Sequence, residues 1–314
     1  MRLVKVELTR LLGRRAVVIL MVLGALVVGA ITAGVLYDAR PVSDAEQAAA
    51  VAEAERYNNE PWTVRSIERC EHRGNATEFC EQQFLLAPDQ FMYRSPLEVA
   101  TGFEDWVIAM TGVLAALALL IGSTFVGADY SSGSIGTQLV FQPGRSKMWS
   151  AKSAGLAIGL TGFAALTLSA ANGTIYATAK AWDRPIPHGV VGDWSAAAGR
   201  GLLLVVAAGI GGYAIALLAR HTAAALGLIA AYGIAGEAVT RAIWPGSERW
   251  LLSNHLVAWV GGDWTLERWD TCSAGDCVPD MMPFTTVGAG TYLGLLAAGA
   301  ALASWAVFRR RDVA

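Results

Sequence analysis

The chain has 314 residues, of which 54% are hydrophobic and 16% charged, with a formal net charge of −2. Soluble domains carry about 25% charged residues, so this composition excludes an ordinary soluble protein. A membrane-spanning helix needs roughly 20 apolar residues, and we find six runs of about that length. They are residues 16–36, 106–128, 153–179, 201–219, 222–243 and 281–308. Backbone groups in lipid need internal partners, so we predict an all-α integral membrane protein with six transmembrane helices.

The segment before the first run, residues 1–15, is predicted to form an amphipathic interface helix. Its apolar side chains share one face, and three charged ones, Glu7, Arg10 and Arg14, share another. The acidic Glu7 among five cations is not explained by a sequence that only sets membrane orientation.

Lys and Arg are concentrated in short segments beside the runs, at 1–15, 129–152 and 309–314. The positive-inside rule counts such short flanks, and it predicts that both termini are cytoplasmic. The loops 37–105, 180–200 and 244–280 are then external. The longest of these, 37–105, is large enough for a small external cap but not for an independent core. Within it, Ser43 and Glu46 form a capping box that predicts the start of a helix. The other two loops are rich in Trp, which favours the water–lipid boundary.

All four cysteines fall in these external loops, where disulfides persist. Cys70 and Cys80 form one local pairing, and Cys272 and Cys277 form the other, although four cysteines allow three connectivities. A zinc site is the alternative, but the spacings do not match the usual zinc patterns.

Between the second and third runs lies a polar, Ser- and Gly-rich segment that has no place in lipid. It reads Asp-Tyr-Ser-Ser-Gly-Ser-Ile-Gly-Thr from Asp129 to Thr137 and ends at Pro143-Gly144. Arg145, Lys147 and Lys152 follow, and we expect them to lie near anionic lipid headgroups. We interpret 129–152 as a short rigid element on which a separate protein pushes. The alternative is an ordinary cytoplasmic connector.

Two further features lie inside the apolar runs. Glu237 and Arg241 are four residues apart in the fifth run, which fits a structural ion pair or a role in translocation. Two pairs of glycines spaced four residues apart permit close helix contact. They are Gly155 with Gly159 and Gly290 with Gly294.

Motifs for catalysis are missing from the sequence. It contains no phosphate-binding P-loop, no nucleophile elbow and no His-Glu-x-x-His zinc motif. We therefore predict that the chain itself is not an enzyme and binds no cofactor or metal. An intramembrane enzyme that uses Glu237 is the weakest alternative.

Taken in order, these features resemble the permease subunits of ABC type-2 exporters. Three stretches support the resemblance: Val6–Arg15 is similar to the interface helix of that family, Asp129–Thr137 with Pro143–Arg145 and Lys152 to its coupling segment, and Ala306–Val313 to its basic tail. Position 129 more often holds Glu in the family, and loop 37–105 is longer than expected for a minimal member.

The resemblance implies a permease that forms a homo- or heterodimer in the bacterial plasma membrane and binds two ATPase subunits. ATP and Mg would be bound by those subunits, and no nucleic acid would be involved. The residues implied in coupling to the ATPase are Glu7, Arg10, Arg14, Asp129, Ser132, Gly133, Gly136, Thr137 and Arg145. Export by alternating access follows from the family, and an amphiphilic drug, peptide or lipid is the expected cargo.

A second interpretation places the chain in a different class. The long loop 37–105 fits a membrane sensor or envelope scaffold that binds a protein or peptide outside the cell and transports nothing. Co-purification of an ATPase distinguishes the two interpretations.

Overall fold

A computed structural model describes residues 2–92, 97, 103–244, 246–268 and 278–310. Across these ranges the fold is all-α, as predicted, apart from one antiparallel pair of short strands. Within them, five helices are long and apolar enough to cross a membrane, which indicates a multi-pass membrane protein. These are α2 (Arg15–Asp38), α6 (Phe103–Ser131), α8 (Arg145–Ala181), α9 (Val190–Ala219) and α13 (Thr286–Arg310).

Shorter elements connect the long helices. Along the chain they are α1 (Arg2–Leu12), α3 (Asp44–Asn58), α4 (Pro61–Glu71), α5 (Thr77–Phe84), a 3-10 turn (Pro88–Phe91), α7 (Ser134–Phe141), α10 (Thr222–Ala231), a π turn (Tyr232–Gly236), α11 (Glu237–Ile243), a 3-10 turn (Ser247–Trp250), α12 (Leu252–Gly261), β1 (Trp264–Arg268) and β2 (Asp280–Phe284). Helix α2 connects α1 to the cap, which consists of α3, α4 and α5. We call the end of the bundle that carries the cap the cap end, and the opposite end, where α7 lies, the α7 end.

The predicted fifth span, 222–243, is not one regular helix. It is divided into α10, the π turn and α11, which follow one another without a break. π turns are rare and occur often at functional sites. Six transmembrane helices therefore stay a prediction for this segment, whereas the other five runs coincide with long helices.

The centre of the bundle is the pair α6 and α9, whose backbones touch. A Cβ atom added to Gly122 would overlap the carbonyl oxygen of Gly209, and one added to Gly212 would overlap that of Leu119. The Ser123 hydroxyl donates to the Gly212 carbonyl at 3.2 Å. Small residues allow such close approach between membrane helices, and van der Waals contact then holds them together. The other long helices pack around this pair.

Two long helices begin earlier than the apolar runs suggested. Helix α8 begins at Arg145 instead of 153, and α9 begins at Val190 instead of 201. The added turns contain charged residues, Arg145, Lys147 and Lys152 in α8 and Asp193 and Arg200 in α9, which is why they lay outside the uncharged runs. With 37 residues at about 1.5 Å each, α8 is about 55 Å long, well beyond a hydrocarbon core of about 30 Å.

The cap is a stapled group of short helices, α3, α4 and α5. The predicted capping box is confirmed, with the Ser43 side chain accepting from the Glu46 amide and Glu46 bonding back. The predicted disulfide between Cys70 and Cys80 is also confirmed, and it joins α4 to α5. The Asn58 side chain bonds both the amide and the carbonyl of Leu86, which holds the end of α3 against the return segment.

Within 244–280, the residues that the structure describes form regular elements where the sequence predicted a surface loop. Helix α12 packs against α6, α9 and α13, and strands β1 and β2 pair antiparallel from Trp264 opposite Phe284 to Arg268 opposite Asp280. The last run was predicted to become helical at 281, which is wrong, because Met281–Phe284 belong to β2. Apolar residues at alternate positions of β2, Met282 and Phe284, are buried, a period that suits a strand.

Replacing Gly212 by Ala should destabilise the bundle. The new methyl group would overlap the Leu119 carbonyl, and relief of such overpacking typically costs about 1–3 kcal/mol. Thermal unfolding of the detergent-solubilised protein measures the loss. Gly211→Ala is the matched control, because a Cβ atom there meets open space. Equal unfolding temperatures in the two variants would contradict direct contact between the backbones of α6 and α9.

Removal of the disulfide should loosen the cap without unfolding the bundle. The bond closes a loop of sequence separation 10, for which the chain-entropy estimate is about 3 kcal/mol. In Cys70→Ser we expect faster amide hydrogen exchange in α4 and α5 and unchanged exchange in α6 and α9. Glu68→Ser, at an exposed position of the same helix, should leave the cap protected.

Candidate functional site

The amphipathic helix α1 lies directly against the first turns of α8. Gly155 and Gly159 leave the room for it, because Cβ atoms there would meet Glu7 and Leu8 in the first case and Leu11 in the second. The predicted close contact at this glycine pair therefore exists, between α8 and α1. Leu11 is fully buried in the contact, whereas Leu3, Val6 and Leu12 are exposed, so only part of the apolar surface of α1 packs on protein.

Two carboxylates from different parts of the chain meet one lysine at this contact. The Lys152 ammonium group donates to Glu7 Oε2 at 2.9 Å and to Asp129 Oδ2 at 2.7 Å. The Lys152 residue is only 1% exposed, and Glu7 and Asp129 are also buried. Because Glu7 is on α1, Asp129 on α6 and Lys152 on α8, one ammonium group joins three helices.

Arginines complete what we call the ionic cluster, which consists of Glu7, Arg10, Arg14, Asp129 and Lys152. The Arg14 guanidinium pairs with Asp129 and also donates to the Phe125 carbonyl at 2.6 Å. Arg10 pairs with Glu7 at 3.3 Å and is exposed. The Phe125 ring lies under both the Arg14 and Lys152 charges, at 5.1 and 5.2 Å from its centroid. Each buried charge thus has an opposite charge and further polar or aromatic contacts, as burial of ions requires.

Helix α7 is attached to this cluster at its first residue. Gly133 precedes it with a left-handed φ of 67°, which makes a sharp turn after α6 possible. The Ser134 hydroxyl donates to Asp129 Oδ1 at 3.0 Å. At the other end of α7, Val140 and Phe141 are 80% and 83% exposed, although α7 lies outside the long apolar helices. Val140 and Phe141 therefore form an apolar surface that the other described residues leave largely exposed.

The structure separates the nine residues predicted to act in coupling into two groups. Glu7 and Asp129 are buried and Arg14 is largely buried, so these three hold α1, α6 and α8 together. Exposed or partly exposed on the surface are Arg10, Ser132, Gly133, Gly136, Thr137 and Arg145. Contact of either group with an ATPase stays a prediction. Lys152 was expected near lipid headgroups, which is wrong, because it is buried between two carboxylates.

The predicted pair of Glu237 and Arg241 is not formed as an ion pair. The Glu237 carboxylate accepts instead from the Ser253 amide at 2.9 Å and from the Tyr232 hydroxyl at 3.3 Å. Arg241 is exposed. The amide at the start of α12 offers the carboxylate a fixed donor, which the flexible arginine side chain does not. The second glycine pair is used at one position only, where Trp259 of α12 fills the space beside Gly290.

Metal binding finds no support within the described ranges, where no three His, Cys, Asp or Glu side chains form a group that could hold an ion. Cys272 and Cys277, predicted to form the second disulfide, lie outside the described residues.

No family model matches the sequence, and no curated protein matches it.

Replacing Lys152 by Met should release α1. Two buried carboxylates would lose their shared cation, and breaking a buried ion pair on one side typically costs about 3–5 kcal/mol. We expect a lower unfolding temperature and faster hydrogen exchange in residues 2–12. Lys147→Met is the matched control on the first turn of the same helix, where the lysine is exposed. Protection of α1 that is the same in both variants would contradict a holding role for Lys152.

Proposed function

We propose that the chain is the membrane-spanning subunit of an ATP-driven exporter of the ABC type-2 kind. It works without a nucleotide site of its own, and a separate ATPase supplies the energy through contact at the α7 end. In this proposal the α7 end is cytoplasmic, segment 222–243 crosses the membrane as the sixth span, and two permease chains assemble with two ATPases in the bacterial plasma membrane.

The observation that carries the proposal is the surface of α7. A short helix between two membrane-length helices presents an exposed apolar end, Val140 and Phe141. Gly136, in the first turn of the same helix, has open space around it, so no contact among the described residues requires a glycine there. A small residue on an open helix face suits the close approach of another protein, and exposed apolar residues next to it suit burial in that contact.

The ionic cluster explains how movement of α7 would reach the spans. A force on α7 passes through Ser134 to Asp129 at the end of α6, and Asp129 shares Lys152 with Glu7. Because these groups are buried and hydrogen-bonded, they move together and the force is not lost in a flexible loop. Helices α1, α6 and α8 would then shift as a unit when the ATPases close, which favours exchange between inward-open and outward-open states.

Gly136→Trp tests the proposal, because the indole would enter open space and disturb only a partner. The tagged chain is co-expressed with the ATPase genes that neighbour its own gene, and captured ATPase and hydrolysis are measured. We expect wild type to capture an ATPase in a 1:1 ratio. The amount of ATPase captured by Gly136→Trp should be at least about tenfold lower. Gly192→Trp is the matched control, at an open glycine near the cap end of α9.

Two results would count against the proposal. Capture of an ATPase that is equal in Gly136→Trp and Gly192→Trp would remove α7 from the contact. A wild-type chain that purifies with no ATPase would remove the exporter function itself.

The second candidate function is an envelope sensor or scaffold. The cap favours it, because its disulfide-stapled helices expose apolar side chains, including Trp62, Val64 and Phe79. In that case the tagged chain should capture an external protein or peptide through the cap and no ATPase.

A further inference from the structure

Glu237 is a carboxylate inside an apolar segment, and it keeps one oxygen without a partner. Both of its hydrogen bonds, from the Ser253 amide and the Tyr232 hydroxyl, go to Oε1. Among the described residues, Oε2 accepts no hydrogen bond and no cationic side chain lies within 4.0 Å of the carboxylate. The side chain is partly exposed, so Oε2 is open to a ligand.

A carboxylate without a cationic partner is unusual within an apolar segment. Ionised groups within membrane segments are costly, and they are generally paired or have a functional role. In the ionic cluster at the α7 end each buried charge has a partner of opposite charge, whereas Glu237 has none among the described residues. Arg241, one helical turn further on, is the nearest candidate in sequence but makes no pair with it.

Aromatic rings lie next to the carboxylate. Tyr232, in the π turn, is 45% exposed and bonds Glu237 directly. Residues 250–253 contact both Glu237 and α13, because the Ser253 amide donates to Glu237 and the Trp250 carbonyl accepts from Tyr292. His255 stacks on the Tyr292 ring at 4.0 Å between centroids, and the Tyr292 hydroxyl donates to the Trp250 carbonyl, so this ring is held in place.

We propose that Glu237, Tyr232 and Tyr292 form a binding site for a lipophilic organic cation. The carboxylate supplies the opposite charge, and the faces of aromatic rings attract cations that carry no tightly held water. A metal ion suits the site less, since a single carboxylate with phenol groups provides too few strong ligands.

As a cargo site this inference rests on the proposed export function, but as a binding site it does not. The test therefore uses the full-length chain alone, purified in an uncharged maltoside detergent. Binding of radiolabelled tetraphenylphosphonium is measured by equilibrium dialysis against protein-free micelles. Tetraphenylborate, an anion of nearly the same size and shape, reports binding that depends only on apolar contact.

Glu237→Gln removes the charge and keeps an oxygen that accepts from the Ser253 amide, so the fold is retained. We expect it to raise the Kd for tetraphenylphosphonium about tenfold or more, as loss of a charge-assisted contact does. Glu267→Gln, which removes an exposed carboxylate of β1, should leave the Kd unchanged. Arg241→Gln should lower the Kd, because it removes a like charge one turn away. Tyr232→Leu should weaken binding more than Tyr232→Phe, which keeps the ring.

The inference is overturned if wild type does not bind the cation, if Glu237→Gln binds it as tightly as wild type, or if tetraphenylborate binds equally well. These results leave the ATPase contact untouched. Conversely, a chain that binds the cation but captures no ATPase would retain this site and lose the export function.

Discussion

The arrangement of the α7 end depends on one buried ammonium group. Lys152 satisfies carboxylates that are 145 and 23 residues away along the chain, and it does so where water is nearly excluded. Arg14 also pairs with Asp129 and Arg10 with Glu7, but Lys152 pairs with both carboxylates and so ties both α1 and α6 to α8. The contact is possible only because Gly155 and Gly159 let α1 approach the α8 backbone. Glycine and lysine on one face of α8 thus act together, the first by its size and the second by its charge.

The cap end is held by a different kind of contact, in which backbone carbonyls take the place of carboxylates. The Trp259 indole donates to the Arg200 carbonyl at 2.9 Å, and the Arg200 guanidinium donates to the Val260 carbonyl at 3.0 Å. This reciprocal pair fixes α12 against α9, and Trp259 also fills the space beside Gly290 of α13. The indole N–H, the two carbonyls and one terminal guanidinium nitrogen are paired in these contacts, while Arg200 Nε is buried without a partner among the described residues. Glu237 differs from this contact because its unpaired atom belongs to a partly exposed residue.

Much of the fold could be predicted because its sequence signals lie within short continuous stretches of the chain. Apolar runs of bilayer length predicted six spans, five of which are long helices in the structure. Ser43 with Glu46 predicted the start of α3, and Cys70 with Cys80 predicted a bond over ten residues. The sequence predicted only part of the ionic cluster. It singled out Glu7, Arg14 and Asp129 by their charge, and Lys152, Gly155 and Gly159 share one helix face at i, i+3 and i+7. The pairing of Lys152 with Glu7 could not be predicted, because it depends on the long-range approach of α1 to α8. The hairpin Trp264–Phe284 and the π turn depend on tertiary packing in the same way.

The contact between α6 and α9 limits the kinds of movement that the protein is able to make. Backbone carbonyls of each helix occupy the positions that Cβ atoms would take at glycines of the other. Sliding the two helices along their axes would therefore drive Gly122 and Gly212 against backbone atoms. We therefore expect the pair to move as one rigid unit. Helix α2 meets α6 differently, because Gly24 faces the Leu114 and Leu117 side chains instead of backbone atoms, so α2 is freer to shift against the α6–α9 pair.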